Sequence, residues 1–498
     1  MFFDGYLPED KIDTRVSRCS ALVNTLQKLK QQHPNGFSSQ MTKDGNPSTR
    51  HSHCKALSDY QLFRQQSCPE EHRGSNSMPF LVPAVLGGLR SSEYGKDVSL
   101  VAGEAEVYCA SQVAESGGII LTGDSDALLF DLEDHHSLAF FDELELVENI
   151  DGQEKLLAPR YYPNRIAKRL QIPNLSSLAD LLLQHPSWSL NRLIGHLKDV
   201  RYSKHASPLT KPQLVRPKEP LQSSAFYLES TLFHENLLAH FKRYERLLFP
   251  RLSEPILQLA RSDRSTPVQI FLAPLLEDWQ RVSAWASGEN VRRLAYWCLV
   301  YMCATSFGDR LRVIKQWSRR ASQFTSTTWT IDALTEYQPS AKLARKLNKN
   351  FVHLNRHFPQ RNTTYERIVY WRSFATRFLF QGLGYTCVDR LFRGNATGKW
   401  KWDDIHANAQ IEACLYSFHM LHQALQYVRS LDVDRTLPRP MEKLRDNLST
   451  LPRLRTLLPT RWELAELASG VASQYNDDVV DFVNCRGCNR GGGEDRLR

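Results

Sequence analysis

Eighteen positions separate Glu106 from Asp124, and what lies between them leaves few choices of fold. Each of the two residues closes or opens an acid-x-acid pair, Glu104-Ala-Glu106 and Asp124-Ser-Asp126. Glu104–Glu115 reads as a helix, Gly117-Gly118 as a turn, and Ile119-Ile120-Leu121-Thr122 as a buried strand of β-branched and apolar residues. Short strands are expected before and after, at Val98–Val101 and Ser137–Phe141, with a helix at Phe80–Leu89 and mostly helix over Arg165–Leu197. Strands alternating with helices predict an α/β fold with a parallel sheet flanked by helices. In such a sheet both acid pairs arrive at the carboxyl ends of strands, where open α/β sheets build their sites.

A further carboxylate, Asp4, ends the strand read at Met1–Gly5. Four or five carboxylates meeting at one rim would repel one another unless a cation sat among them. Hard oxygen ligands of this kind select Mg²⁺ or Mn²⁺. Two such ions are a standard device for activating water against a phosphodiester. Among 54 acidic residues a single acid-x-acid pair arises readily by chance. Two pairs in this order, joined by helix, turn and strand, are much more specific.

Gly103–Leu129 resembles the internal nuclease motif of the flap endonuclease/XPG superfamily, and Phe-Phe-Asp-Gly-Tyr-Leu-Pro-Glu-Asp-Lys resembles the tail of its N-terminal motif. The Asp-Gly-x-Leu-Pro form is closest to the Asteroid branch. The resemblance covers residues 1–31 and 79–200 and implies a PIN-like fold with metal-dependent cleavage of branched or flapped nucleic acid. By motif position it implies that Asp4, Glu104, Glu106, Asp124 and Asp126 hold the metals. Lys11 and Arg18 would steady the scissile phosphate, a role suited to cations near a loaded metal site. The family's first aspartate and its strand would precede Asp4, so the resemblance implies an upstream start or a truncation of the first strand. The family's last metal carboxylate has no counterpart around Leu181–Pro186, where Asp180 and His185 stand, and His185 before Pro186 reads as a surface histidine.

Composition adds limits. Hydrophobic residues are 42% of the 498 and charged residues 23%, which suits buried cores and excludes wholesale disorder or a fibrous chain. No apolar run reaches the ~20 residues of a membrane helix, Leu294–Ala304 coming nearest. With no secretory leader at Met1 and ten scattered cysteines, the chain reads as intracellular with free thiols, and the family resemblance and charge suggest the nucleus. Residues 1–199 sum to −7 and residues 200–498 to +16, a carboxylate-rich part beside a part that attracts polyanions.

The Ser/Asn/Gln/His-rich stretch 32–78 reads as a polar insertion, residues 201–222 with four prolines as a linker, 223–484 as a helical domain, and the Gly/Arg-rich 485–498 as a frayed tail. Within the helical domain, helices are expected at Leu228–Leu248, Val268–Trp285 and Val291–Thr305. Nine of the ten tryptophans lie there, Trp400 and Trp402 among them, and read as core anchors. Its basic patches are Arg310/Arg312/Lys315/Arg319/Arg320, Lys342/Arg345/Lys346/Lys349 and Arg435–Arg461, several at helical spacing. Such patches suit phosphate contacts, although solvated helix faces look the same. Cys485-x-x-Cys488 and the group His51, His53, Cys54, Cys68, His72 fall short of a zinc-ligand spacing. Glu133-Asp134-His135-His136 reads as a charged turn. Two functions remain: a metal-dependent nuclease of structured DNA or RNA, and a catalytically silent scaffold that binds nucleic acid or protein.

Overall fold

The computed structural model describes residues 1–38, 80–202, 255–258, 267–303, 311–357, 364–379, 399–431 and 436–454, with short breaks at 6, 8–10, 102–103, 131, 134, 149–153, 257 and 453. In chain order the strands are β1 (Phe2–Asp4), β2 (Phe37–Ser38), β3 (Ser99–Val101), β4 (Ile119–Thr122), β5 (Ser137–Phe140), β6 (Glu145–Glu148), β7 (Glu154–Leu157), β8 (Val268–Phe271), β9 (Leu311–Arg320), β10 (Gln323–Asp332) and β11 (Lys399–Trp400). The helices are α1 (Ile12–Gln32), α2 (Leu81–Leu89), α3 (Ala105–Ser116), α4 (Pro163–Leu170), α5 (Leu175–Gln184), α6 (Leu190–Tyr202), α7 (Glu289–Cys303), α8 (Tyr337–His357), α9 (Thr364–Leu379), α10 (Trp402–Ser430) and α11 (Arg439–Leu448). Two compact units result. The smaller takes Met1–Asp4 and the described residues of Val101–Arg243, and the larger takes those of Gly5–Cys54, Pro69–Leu100 and Tyr244–Arg498.

The smaller unit follows the strand–helix–strand order expected of it. Helix α3 ends where Gly117 (φ +76°) and Gly118 (φ +124°) take left-handed conformations that a side chain would resist. The Gly117 N–H bonds Val113 O at 2.8 Å, closing the helix and aiming the chain into β4. Strand β4 pairs in parallel with β5, Ile119 opposite Ser137 through Thr122 opposite Phe140. Ala110 and Val113 of α3 pack on Ile120, Ala127, Leu132 and Leu138, all under a tenth exposed. Each such Ile or Leu contributes roughly 2 kcal/mol by leaving water. Helices α4–α6 form a second core around Ala167, Ile172, Leu181, Leu193 and Leu197, with Trp188 against it. Of the expected parallel sheet, the described residues show this β4–β5 pair. β1 pairs with β3, whose last residue, Val101, belongs to this unit, while β6 and β7 form an antiparallel hairpin with no counterpart in the sequence reading.

The larger unit is rich in helix, as expected of its C-terminal part, but it also holds strands that the sequence reading did not contain. Its centre carries a three-stranded sheet in the order β10-β9-β8, the hairpin β9–β10 antiparallel and β8 parallel to β9. Val268–Trp285 is not a helix: β8 ends at Phe271, and Pro274 removes a donor and clashes with a helical turn. The Arg310–Arg320 patch is not a helix face either, since Arg312, Lys315 and Arg319 lie on strand β9. The alternating Thr325, Thr327, Trp329 and Ile331 on the partner strand carry the β preference that the cation spacing hid. Helix α7 starts two residues before the expected Val291 and is described as far as Cys303. The Leu228–Leu248 helix, the 201–222 linker beyond the end of α6 at Tyr202, nearly all of the 32–78 insertion, the Cys485/Cys488 pair and the His51–His72 group lie outside the described residues.

Two arginines hold this core together. Arg292, fully buried, donates to Gln316 Oε1 (3.0 Å), Ser417 Oγ (2.9 Å) and Trp285 O (2.8 Å). Arg319, also fully buried, donates to Glu277 Oε1 (2.8 Å) and to the carbonyls of Trp279, Ala321 and Arg281. Its bond to Ala321 pins the β9–β10 turn, where Ala321 holds φ +49° without being glycine. Helix α1 packs Cys19 and Val23 against Phe271 and Phe324, and Leu26 against Trp402 and Ile405.

Candidate metal centre

Asp4 stands at the end of β1, and Glu104 and Glu106 open α3. Glu104 is the N-cap residue of α3 but makes no side-chain cap bond. Asp4, a hundred residues away in sequence, supplies the cap instead: its Oδ1 accepts the Ala105 N–H at 2.8 Å. Phe2 reinforces the join, its ring centroid 6.2 Å from that of Tyr108. The result is a trio of carboxylates, Asp4, Glu104 and Glu106, whose ligand oxygens all lie within 4.8 Å of one another, Asp4 exposed and the glutamates half-buried.

Three like charges that close repel, and the positive end of α3 offsets part of the cost. The field of the trio reaches Cys109, one turn along α3. Burial raises its thiol pKa first, Glu106 and Asp4 add to the rise, and the chain amino terminus opposes it. Oxygens across one magnesium ion are about 4.2 Å apart at ligand distances near 2.1 Å. A spacing within 4.8 Å therefore fits one hard cation after small side-chain adjustments. The donor set, all carboxylate oxygen, matches Mg²⁺ or Mn²⁺ and not a soft metal.

Asp124 and Asp126 lie at the carboxyl end of β4, exposed to solvent, and do not belong to the trio. Asp124 shapes its own turn: its N–H donates to Thr122 Oγ1 and its Oδ1 accepts the Asp126 N–H, both at 3.0 Å. Lys11 precedes α1 and Arg18 lies on it, both exposed, in the larger unit. Arg15, on the same helix, places its guanidinium 5.7 Å from the Phe271 ring centre. His185 stacks flat on Trp188 at 4.1 Å, a packing role.

Glu133, His135 and His136, read as a charged turn, also bring ligand atoms within 4.8 Å of one another. His135 Nδ1 lies 3.7 Å from Glu133 Oε2, and the two imidazole centres are 3.8 Å apart. Adjacent histidines beside an acid were the available signal. Among the described residues these are the two groups able to hold an ion.

The family model described as XPG domain containing matches residues 77–331, just over half of the 498. The chain belongs to the XPG-domain family. This family is nuclease-like, acts on nucleic acid and typically uses divalent metals. No curated protein and no solved structure gives a significant match. Glu104, Glu106, Asp124 and Asp126 fall inside the matched XPG segment, whereas Asp4, Lys11 and Arg18 precede it. The match also runs on through the β9–β10 hairpin, to within one residue of its end. Among the described residues of this XPG-domain protein no helix is long and apolar enough to cross a membrane.

Proposed function

We propose that this XPG-domain protein, of the Asteroid type, hydrolyses phosphodiester bonds in structured DNA or RNA with Mg²⁺ or Mn²⁺ at the Asp4–Glu104–Glu106 trio. The observation that carries the proposal is that trio: three carboxylates from two distant stretches, all on one helix end, inside a nuclease-like family. Asp4 keeps one oxygen on the helix and offers the other, while Glu104 and Glu106 add the charge. Bound there, the metal supplies a lowered pKa for water and charge neutralisation at the phosphate. Asp124 and Asp126, on the loop after β4, are assigned to the same chemistry as the second acid pair. Lys11 and Arg18 are assigned to the substrate phosphate.

A catalytically silent scaffold is the second reading, and one observation favours it: Asp124 spends its carboxylate on its own turn and stays outside the trio. Purified protein is incubated with flapped and single-stranded substrates in Mn²⁺, beside Glu104→Gln and Asp124→Ala. Metal-dependent products that both variants lose by at least about a hundredfold establish the nuclease. Background that is equal in all three proteins establishes the scaffold.

A further inference from the structure

Helices α8 and α11 cross in the larger unit and enclose a cleft of about 780 Å³. Its lining includes five cations, Arg345, Lys349 and Arg356 from α8 with Arg439 and Lys443 from α11, against two carboxylates, Glu442 and Asp446. Asp446 is already engaged by Arg445 at 2.8 Å. None of the five cations has an ion-pair partner among the described residues, and all five are exposed.

The helical register explains how they meet. Arg345, Lys349, Val352 and Arg356 follow one another at four, three and four residues, a single face of α8, while Ala344, Leu347, Phe351 and Leu354 bury the other. On α11, Arg439 and Lys443 are four apart, while Met441, Leu444 and Leu448 are buried. The floor is fixed by Asn348, buried between the helices. Its amide donates to Pro440 O at 2.8 Å and its Oδ1 accepts from Asn447 at 2.9 Å. The two charged rows thus sit on a rigid scaffold and cannot turn apart to relieve their repulsion.

We infer that this cleft binds the phosphodiester backbone of nucleic acid. From Arg345 to Arg356 the row runs about 16 Å along the helix. One strand of a duplex places a phosphate about every 3.4 Å, so the row matches about five phosphates. Among the described residues no Phe, Tyr or Trp lines the cleft, whose one aromatic ring is the half-buried His353, so the exposed cations dominate and the recognition is of backbone charge whatever the sequence. The proposal stands apart from the carboxylate trio, since binding here needs neither metal nor cleavage.

The full-length protein is titrated against a fluorescent duplex DNA oligonucleotide in EDTA over a range of salt. Five phosphate contacts give a slope of log affinity on log salt near −4.5. Arg345→Ala/Lys349→Ala/Arg356→Ala should bind at least about tenfold more weakly, with the slope reduced to about −2. The control Lys155→Ala/Lys168→Ala/Arg169→Ala, which removes three exposed cations of the smaller unit, should bind within about twofold of the parent. Equal loss in both triples, an unchanged slope in the first, or displacement of DNA by polyglutamate at matched charge would overturn the assignment. Because EDTA silences any metal-dependent cleavage, failure here leaves the nuclease proposal untouched, and failure of the nuclease assay leaves this result standing.

Discussion

Two carboxylate clusters in this protein answer the same electrostatic problem in opposite ways. Glu277, with no exposure, meets Arg319 at 2.8 Å and also accepts from Ser283 Oγ and the Ala284 N–H. Every oxygen of that carboxylate has a protein donor, so the charge is balanced within the fold. Asp4, Glu104 and Glu106 crowd together at a solvent-facing helix end, where Asp4 accepts the Ala105 N–H. The first cluster holds the fold in place. The second gathers negative charge that an external cation can balance, and its removal costs the fold little.

The sharpest way to break this contrast is to unbalance the buried pair. Arg319→Met leaves Glu277 charged and stranded, with an expected loss of about 3–5 kcal/mol in urea unfolding. The double variant Glu277→Leu/Arg319→Met should recover most of that loss, because no charge then remains to be solvated. A single variant as stable as the parent would remove the distinction between the clusters.

Acid sensitivity comes next in size. Burial pushes His419 down to about 3, helped by its neighbour His422, and burial alone pushes His422 down to about 4. Unfolded histidines take up protons near pH 6.5, whereas these stay neutral in the folded chain until far lower. The stability they hold is present above pH 6.5 and is lost as pH falls toward 4. For His419 the loss by pH 4 is about 3 kcal/mol. Unfolding of the parent and His419→Gln at pH 7 and pH 4 should therefore converge as the pH drops, and parallel curves would refute the assignment.

The smallest effects belong to the trio. Asp4→Ala removes the cap of α3 and should cost about 1 kcal/mol, whereas Asp4→Asn keeps an acceptor and should cost less. Glu104→Gln relieves like-charge repulsion and should leave stability within about 0.5 kcal/mol. All three should lose the thermal shift that Mn²⁺ gives the parent. A Mn²⁺ shift retained by Glu104→Gln would show that the ion binds elsewhere.

How far the sequence could be read depended on which interactions were local. Helix α3, the Gly117-Gly118 turn and β4 were legible because periodicity and glycine act within a few residues. The meeting of Asp4 with Glu104 and Glu106 was expected from motif order, but Asp4's role as the cap of α3 was not. A cap contributed across 101 positions leaves no local mark. The β9–β10 hairpin was misread because Arg312, Lys315 and Arg319 mimic helical spacing while threonine alternation on the other strand decides the structure. Arg319, grouped by sequence with a surface patch, is fully buried, since only the three-dimensional fold brings Glu277 to it. The α8 and α11 cations were visible as separate patches, and their convergence on one cleft required the crossing of two helices.

The long reach of Asp4 has a consequence for how the protein comes into being. A ribosome adding about 5–20 residues per second releases Asp4 seconds before Ala105 exists to receive it. Until then the nascent chain carries isolated acids with no common focus for a divalent ion. Cation capture at that corner therefore waits until the chain has been made at least as far as Glu106.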